Sequence, residues 1–150
     1  MPIIKKGTFI SAILGICIFI VTACSSGDAY IADNIKSRLV TAEQPLASPS
    51  GKYSLEKREG EKEGVKGFWV SITDFESGEE IFTGDVFTRL RDTSFLFWEE
   101  KDVVWLYNGD TGTFFWKLDE GVWSKYSYAT GDTSVEAPQL LKRLRPNIFK

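Results

Sequence analysis

From Lys52 onward the chain breaks into short stretches rich in aromatic and β-branched residues, each closed by a turn cluster, and this spacing limits the fold more than any other feature. Tyr53 and Leu55 alternate with polar neighbours, and so do Phe68, Val70 and Ile72; Gly78 separates these from Ile81 to Phe87. Phe95 to Trp98, Val103 to Tyr107, Thr113 to Leu118 and Val122 to Tyr128 follow, divided by Asn108-Gly109-Asp110 and Asp119-Glu120-Gly121. Such segments favour pleated, half-buried strands. Their connections are too short for parallel crossovers, which need a dozen or more residues, so consecutive strands must pair antiparallel. The expected fold is all-β: a small antiparallel meander, as a sandwich or curled sheet of about seven strands.

Helical signals lie only at the two ends. Ile31, Ile35 and Leu39 recur every four residues between Asp28 and Val40, with Asp28 as N-cap, which predicts a short amphipathic helix. It is either a spacer or packed on the domain. Pro138, followed by Leu140, Leu141 and Leu144 and then Pro146, predicts a short closing helix. The charged run from Glu56 to Lys66 reads as an exposed hairpin loop, because its side chains could not be buried without unpaired charge.

Phe97-Trp98 and Val104-Trp105 recur eighteen residues later as Phe115-Trp116 and Val122-Trp123, so each copy suggests one hairpin. A turn centred on Glu100-Lys101 would pair Phe97 with Val104 and Trp98 with Val103, giving both faces large apolar groups. Such a hairpin must be covered on both sides or leave aromatic surface for binding. In the second copy Gly121 can take a left-handed turn position and shift the register by one.

The N-terminus carries an address. Lys5 and Lys6 precede a 13-residue apolar run from Phe9 to Val21, and small residues follow, which is the pattern of an export signal. The run falls short of the about 20 apolar residues of a bilayer span. Val21-Thr22-Ala23-Cys24 resembles the lipobox of bacterial lipoproteins, departing from the commonest pattern in having Val at its first position. The resemblance implies cleavage before Cys24 and diacylglyceryl attachment to its sulfur. Several acyl chains on one residue give stable anchoring where one would not. The implied division is a signal peptide over 1–23, the lipidated cysteine with tether and helix over 24–47, and a β-domain over 48–150. Ser25 follows the cysteine, where Asp is linked to inner-membrane retention. The resemblance therefore places the protein at the outer membrane facing the periplasm in a diderm, or on the outer face of the plasma membrane in a monoderm. Cys17 falls in the removed segment, so no disulfide is expected.

Ser48-Pro49-Ser50-Gly51-Lys52-Tyr53 resembles the strand-opening motif of TolB-like propeller blades, but about 100 residues are too few for a closed propeller.

Charge and composition remove several functions. Taking Lys5 and Lys6 from the 18 basic groups leaves 16 against 21 acidic ones, a net charge of −5, which argues against a nucleic-acid partner. There is no histidine and no thiol beyond Cys17 and Cys24, so imidazole or thiolate metal centres and histidine-dependent triads are not expected, nor is a cofactor. Asn108-Gly109-Asp110-Thr111-Gly112 echoes a calcium loop but lacks its later bidentate acid, and reads as a turn. An enzyme would need paired carboxylates drawn from Asp74, Glu76, Asp85, Asp92, Glu99, Glu100, Asp102, Asp110 and Asp119, and nothing selects a pair.

The aromatic surplus is the strongest functional signal. Trp69, Trp123 and Tyr126 are the candidate binding residues: Trp69 because Phe68 and Val70 claim the opposite face, the other two for their place near the last strand. The leading expectation is a lipid-anchored, non-enzymatic envelope protein whose β-domain binds a protein partner of accessory, assembly or immunity type. A cell-wall glycan binder and a small carboxylate-dependent hydrolase are the alternatives. The basic cluster Lys142, Arg143 and Arg145 reads as a solvated helix face or a contact with anionic lipid.

Overall fold

The computed structural model describes residues 33–129 and 134–150. The expected signal peptide, Cys24, the expected tether and the first residues of the expected N-terminal helix lie outside the described residues. Among the described residues, nine strands form two antiparallel sheets. The first contains β1 (Leu46–Ala47), β2 (Tyr53–Lys62), β3 (Val65–Asp74), β4 (Glu80–Thr83) and β5 (Thr88–Arg89), in the order β1-β2-β3-β4 with β5 also paired to β3. The second contains β6 (Ser94–Glu99), β7 (Val103–Asn108), β8 (Gly112–Asp119) and β9 (Val122–Tyr128) in sequential order. A short helix, α1 (Gln139–Leu144), follows. No helix among the described residues is long and apolar enough to cross a membrane.

The sheets pack face to face. Leu55, Phe68, Val70 and Ile72 of the first meet Leu96, Trp98, Val104, Leu106, Trp116 and Trp123 of the second in one core. Period-two alternation sends these side chains to one side of each sheet. Trp98 is buried without an orphan donor, since its Nε1 donates to the Leu46 carbonyl at 2.9 Å. The sandwich takes in residues ahead of Ser48: Val40 is buried in the core, and β1 pairs with β2.

The outer face of the second sheet builds a second core. Phe97, Trp105, Tyr107 and Phe115 pack with Leu140 and Leu141 of α1 and with Ala137 and Phe149 around it. Ile35, in a helical turn over 33–36, and Leu39 just beyond it join this cluster, so that described segment is packed on the domain and is no free spacer.

Three expectations change. The charged run is not a loop: β2 continues to Lys62, β3 begins at Val65, and only Glu63 and Gly64 turn, both with positive φ (54° and 78°). Strand backbone extends through this charge because the side chains stay in water. The β6–β7 turn has three residues, Glu100 to Asp102, with Lys101 and Asp102 both left-handed. The extra residue pairs Phe97 with Trp105 and Trp98 with Val104, one step from the expected register. The segment from Ile81 splits, β4 stopping at Thr83 and β5 starting at Thr88.

Both sheets also solve an edge problem. Beyond two-residue β1, the rest of β2 is an open edge, and β9 closes the other sheet. Lys57 pairs with core Val70 and so faces inward, its Nζ 4.7 Å over the Phe68 ring. Lys125 pairs with core Trp116 and reaches the Asp85 carboxylate. An inward-facing charge near an edge discourages another strand from adding there.

Candidate functional site: an aromatic cleft on the second sheet

Antiparallel register lines up Phe97, Trp105, Phe115 and Tyr126 as a ladder across β6, β7, β8 and β9. The two-residue Glu120–Gly121 turn, with both φ positive, places Tyr126 opposite Phe115. Trp105 and Phe115 stack with centroids 4.8 Å apart and planes 22° apart; Phe115 and Tyr126 do so at 5.1 Å and 13°. Three near-parallel rings thus span three strands, a packing worth more than its buried area alone.

α1 covers one part of this face and, among the described residues, another part is open. The uncovered part is a cleft of about 360 Å3, floored by Trp105 and Phe115 and walled by Val103, Val135 and Tyr126, with Glu99 and Lys117 at its margin. The floor rings are buried and Tyr126 is 38% exposed, so the floor sets the shape while Tyr126 supplies contact area. Its size falls within the usual range of small binding pockets, about 300–1,000 Å3.

Besides the two charged lining residues, polar contacts hold Tyr126 in place. Its hydroxyl donates to Asp119 Oδ2 at 2.6 Å, Lys117 Nζ sits 4.9 Å over its ring, and the same Nζ is 3.4 Å from Asp119 Oδ1. The tyrosine hydrogen bond, and after it Lys117, holds the Asp119 carboxyl below the usual carboxylate range, and Asp119 in turn raises the Tyr126 phenol. Glu99 lies 4.0 Å from Arg38.

The structure does not bring the three candidate binding residues together. Tyr126 is in the cleft. Trp123 is in the core instead of on the surface, between Tyr53 (5.4 Å), Phe82 (6.2 Å) and Trp98 (6.0 Å), because its pairing with Leu118 turns it toward the first sheet. Trp69 is half-buried on the far side of the first sheet, 4.7 Å from Phe87. It lies flat over Gly60, where a Cβ would come 2.7 Å from its ring. Trp105, Phe115, Val103, Lys117 and Val135 were not singled out from the sequence; only the three-residue β6–β7 turn and the two-residue β8–β9 turn together reveal the ladder.

The acidic residues have local tasks. Asp74 accepts from Ser77 N (2.8 Å) and Oγ (2.9 Å), Asp102 accepts from Ser50 N (2.9 Å), and Glu80 accepts from Ser71 Oγ (2.7 Å) and Arg58 (2.8 Å). The Asn108 turn is fixed by its own side chain, whose Oδ1 accepts from Asp110 N and Thr111 N. Among the described residues no His, Cys, Asp or Glu group is arranged to hold a metal ion.

Comparison with known proteins brings no match: no family model, no curated protein and no solved structure is similar to this chain.

Proposed function

We propose that the chain is a lipid-anchored, non-enzymatic cell-envelope protein, tethered through Cys24, whose β-sandwich holds a protein partner in the cleft over Trp105, Phe115 and Tyr126. The observation that carries this reading is the near-parallel stack of those rings beneath an opening with few free polar groups. An aliphatic or aromatic side chain of the partner is the natural occupant, since interface anchors are commonly apolar groups seated in desolvated pockets. A sugar would want several hydrogen-bonding groups, and here the Tyr126 hydroxyl is committed to Asp119 while Glu99 faces Arg38. Of the carboxylates a hydrolase would use, Asp74 is engaged in a turn and Asp85 and Asp92 in ion pairs.

Two measurements test the two halves separately. Cys24→Ser should abolish incorporation of labelled fatty acid; unchanged labelling ends the anchor reading. For the cleft, crosslinking in intact cells identifies the partner, and Tyr126→Ala should then weaken binding of that partner by about 30-fold, as for an interface hot spot. Thermal unfolding should move little, because Tyr126 is partly exposed. Undiminished partner binding, or binding of isolated wall glycan through the same residue, would reject the protein-partner reading.

A further inference from the structure

At the opposite end of β7 from the Glu100–Asp102 turn, the surface departs from the acidic character of the chain. An open pocket of about 510 Å3 gathers Arg89, Arg91 and Arg145 with Asp92, Gly109 and Asp110. Three segments supply it: β5 and the turn after it, the β7–β8 turn, and the end of α1. The first two are tied together, since Gly109 N donates to the Thr93 carbonyl at 3.0 Å and Asn108, 1% exposed, donates from Nδ2 to Asp92 at 3.4 Å.

The three guanidiniums are not equivalent. Arg89 is engaged by both acids, with Nη2 3.0 Å from Asp92 Oδ1 and a further ion pair to Asp110. Arg91 and Arg145 have no acidic partner among the described residues. Arg145 lies with its guanidinium carbon 5.3 Å from the Tyr107 ring centroid, and its backbone N–H donates to the Leu141 carbonyl at 2.8 Å. Three guanidiniums against two carboxylates leave the pocket with a net charge of +1, and both guanidiniums that lack an acidic partner line it. Like charges held at one pocket repel each other, and an oxyanion between them relieves that repulsion. Guanidinium donors match the oxygens of phosphoryl groups in pairs.

We infer that this pocket binds a phosphoryl oxyanion between Arg91 and Arg145, a site distinct from the aromatic cleft and independent of it. The pocket has room for an attached organic group, so the phosphoryl group belongs either to a lipid headgroup or to a soluble phosphorylated compound. Isothermal titration of the full-length chain at constant ionic strength tests this, with three probes: inorganic phosphate, glycerol 3-phosphate, and a short-chain phosphatidylglycerol below its micelle-forming concentration. Saturable binding at one site is expected, weakened about tenfold by Arg91→Gln and by Arg145→Gln, as for a lost charge-assisted hydrogen bond. Arg143→Gln, on α1 outside the pocket, should bind like the parent. Arg91 is exposed, so its variant reports on the site without disturbing packing. Preference for the phosphatidylglycerol diester assigns the headgroup, and preference for the monoesters assigns a soluble ligand. Binding of none of the three, or binding that survives in the Arg91→Gln/Arg145→Gln double variant, overturns the inference.

Discussion

On its outer side the first sheet presents Ser54, Glu56, Arg58, Ser71 and Thr73, crossed by a network in which Glu80 joins Arg58, Ser71 and Thr83. On its outer side the second sheet presents Phe97, Trp105, Tyr107 and Phe115, all buried. The first is a one-sided sheet whose outer side is polar except where Trp69 packs on Phe87. The second has two apolar faces and cannot stand in water without a cover, which α1, Phe149 and the Ile35–Leu39 segment provide. Among the described residues, that cover leaves the cleft beside Tyr126 open. The contrast shows why the binding surface falls on the second sheet: an apolar face that must be covered is also one on which a partner can complete the cover.

The largest expected effect comes from loosening that cover. Leu141 is fully buried against the second sheet, so Leu141→Ala should cost about 2–5 kcal/mol in urea denaturation. Thr83→Ala, exposed on the outer side of the first sheet, should stay within about 0.5 kcal/mol. Trp69→Ala belongs between them, because Trp69 is half-buried with Phe87 as its ring neighbour. A loss at Trp69 exceeding that at Leu141 would break the comparison, since it would make the polar-faced sheet the one that depends on its outer cover.

The two sheets were not equally legible in the sequence. Strands of the one-sided sheet announce themselves by alternation, as in Phe68, Val70 and Ile72, and the turn residues mark their ends. β1 is too short for any periodic signal, and β2 continues through charged residues because an exposed hairpin arm imposes no apolar pattern. The doubly covered sheet was also recognisable as strands, from its aromatic runs and its eighteen-residue echo. Its face assignment was not, because when every position is apolar the register depends on turn length alone. One added residue between Glu99 and Val103 decides that Phe97 meets Trp105 and not Val104. Trp123 was a binding candidate for its place near the last strand, although its pairing with Leu118 turns it into the core. Of the cleft, only Tyr126 was legible.

A smaller effect should come from the inward lysine of the first sheet. Burial holds the Lys57 ammonium below the ordinary lysine range, against the opposing pull of Glu43 and Glu59. Because the folded value is the lower one, charging Lys57 costs stability below that pKa, and the cost fades as pH rises toward the unfolded value of about 10.4. Lys57→Met should therefore stabilise the fold at neutral pH, by no more than about 1 kcal/mol given partial exposure and the lost contact with Phe68. The same substitution should raise aggregation measured by light scattering, since the β2 edge loses its inward charge. Unchanged scattering would show that the edge is protected by other means.

The smallest effect concerns the rim of the cleft. Tyr126→Phe keeps the ring stacked on Phe115 but removes the hydroxyl that donates to Asp119 at 2.6 Å. That hydrogen bond is the foremost cause of the lowered Asp119 pKa, so the carboxyl should titrate at a higher pH in the variant, followed through its side-chain carbon shift in NMR. In the parent, the folded pKa lies below the unfolded value of about 3.9, so the stabilisation from this pair is present above that value and is lost as pH falls through the folded pKa. The variant should lose less stability over the same acid range. Glu80 is lowered first by Ser71 and then by Thr83 on the other sheet, and its titration should not move. If Asp119 titrates identically in both proteins, Lys117 alone sets its charge. The tyrosine hydroxyl would then be free to hydrogen-bond an incoming ligand, and the weight of the argument would shift from an apolar side chain toward a sugar.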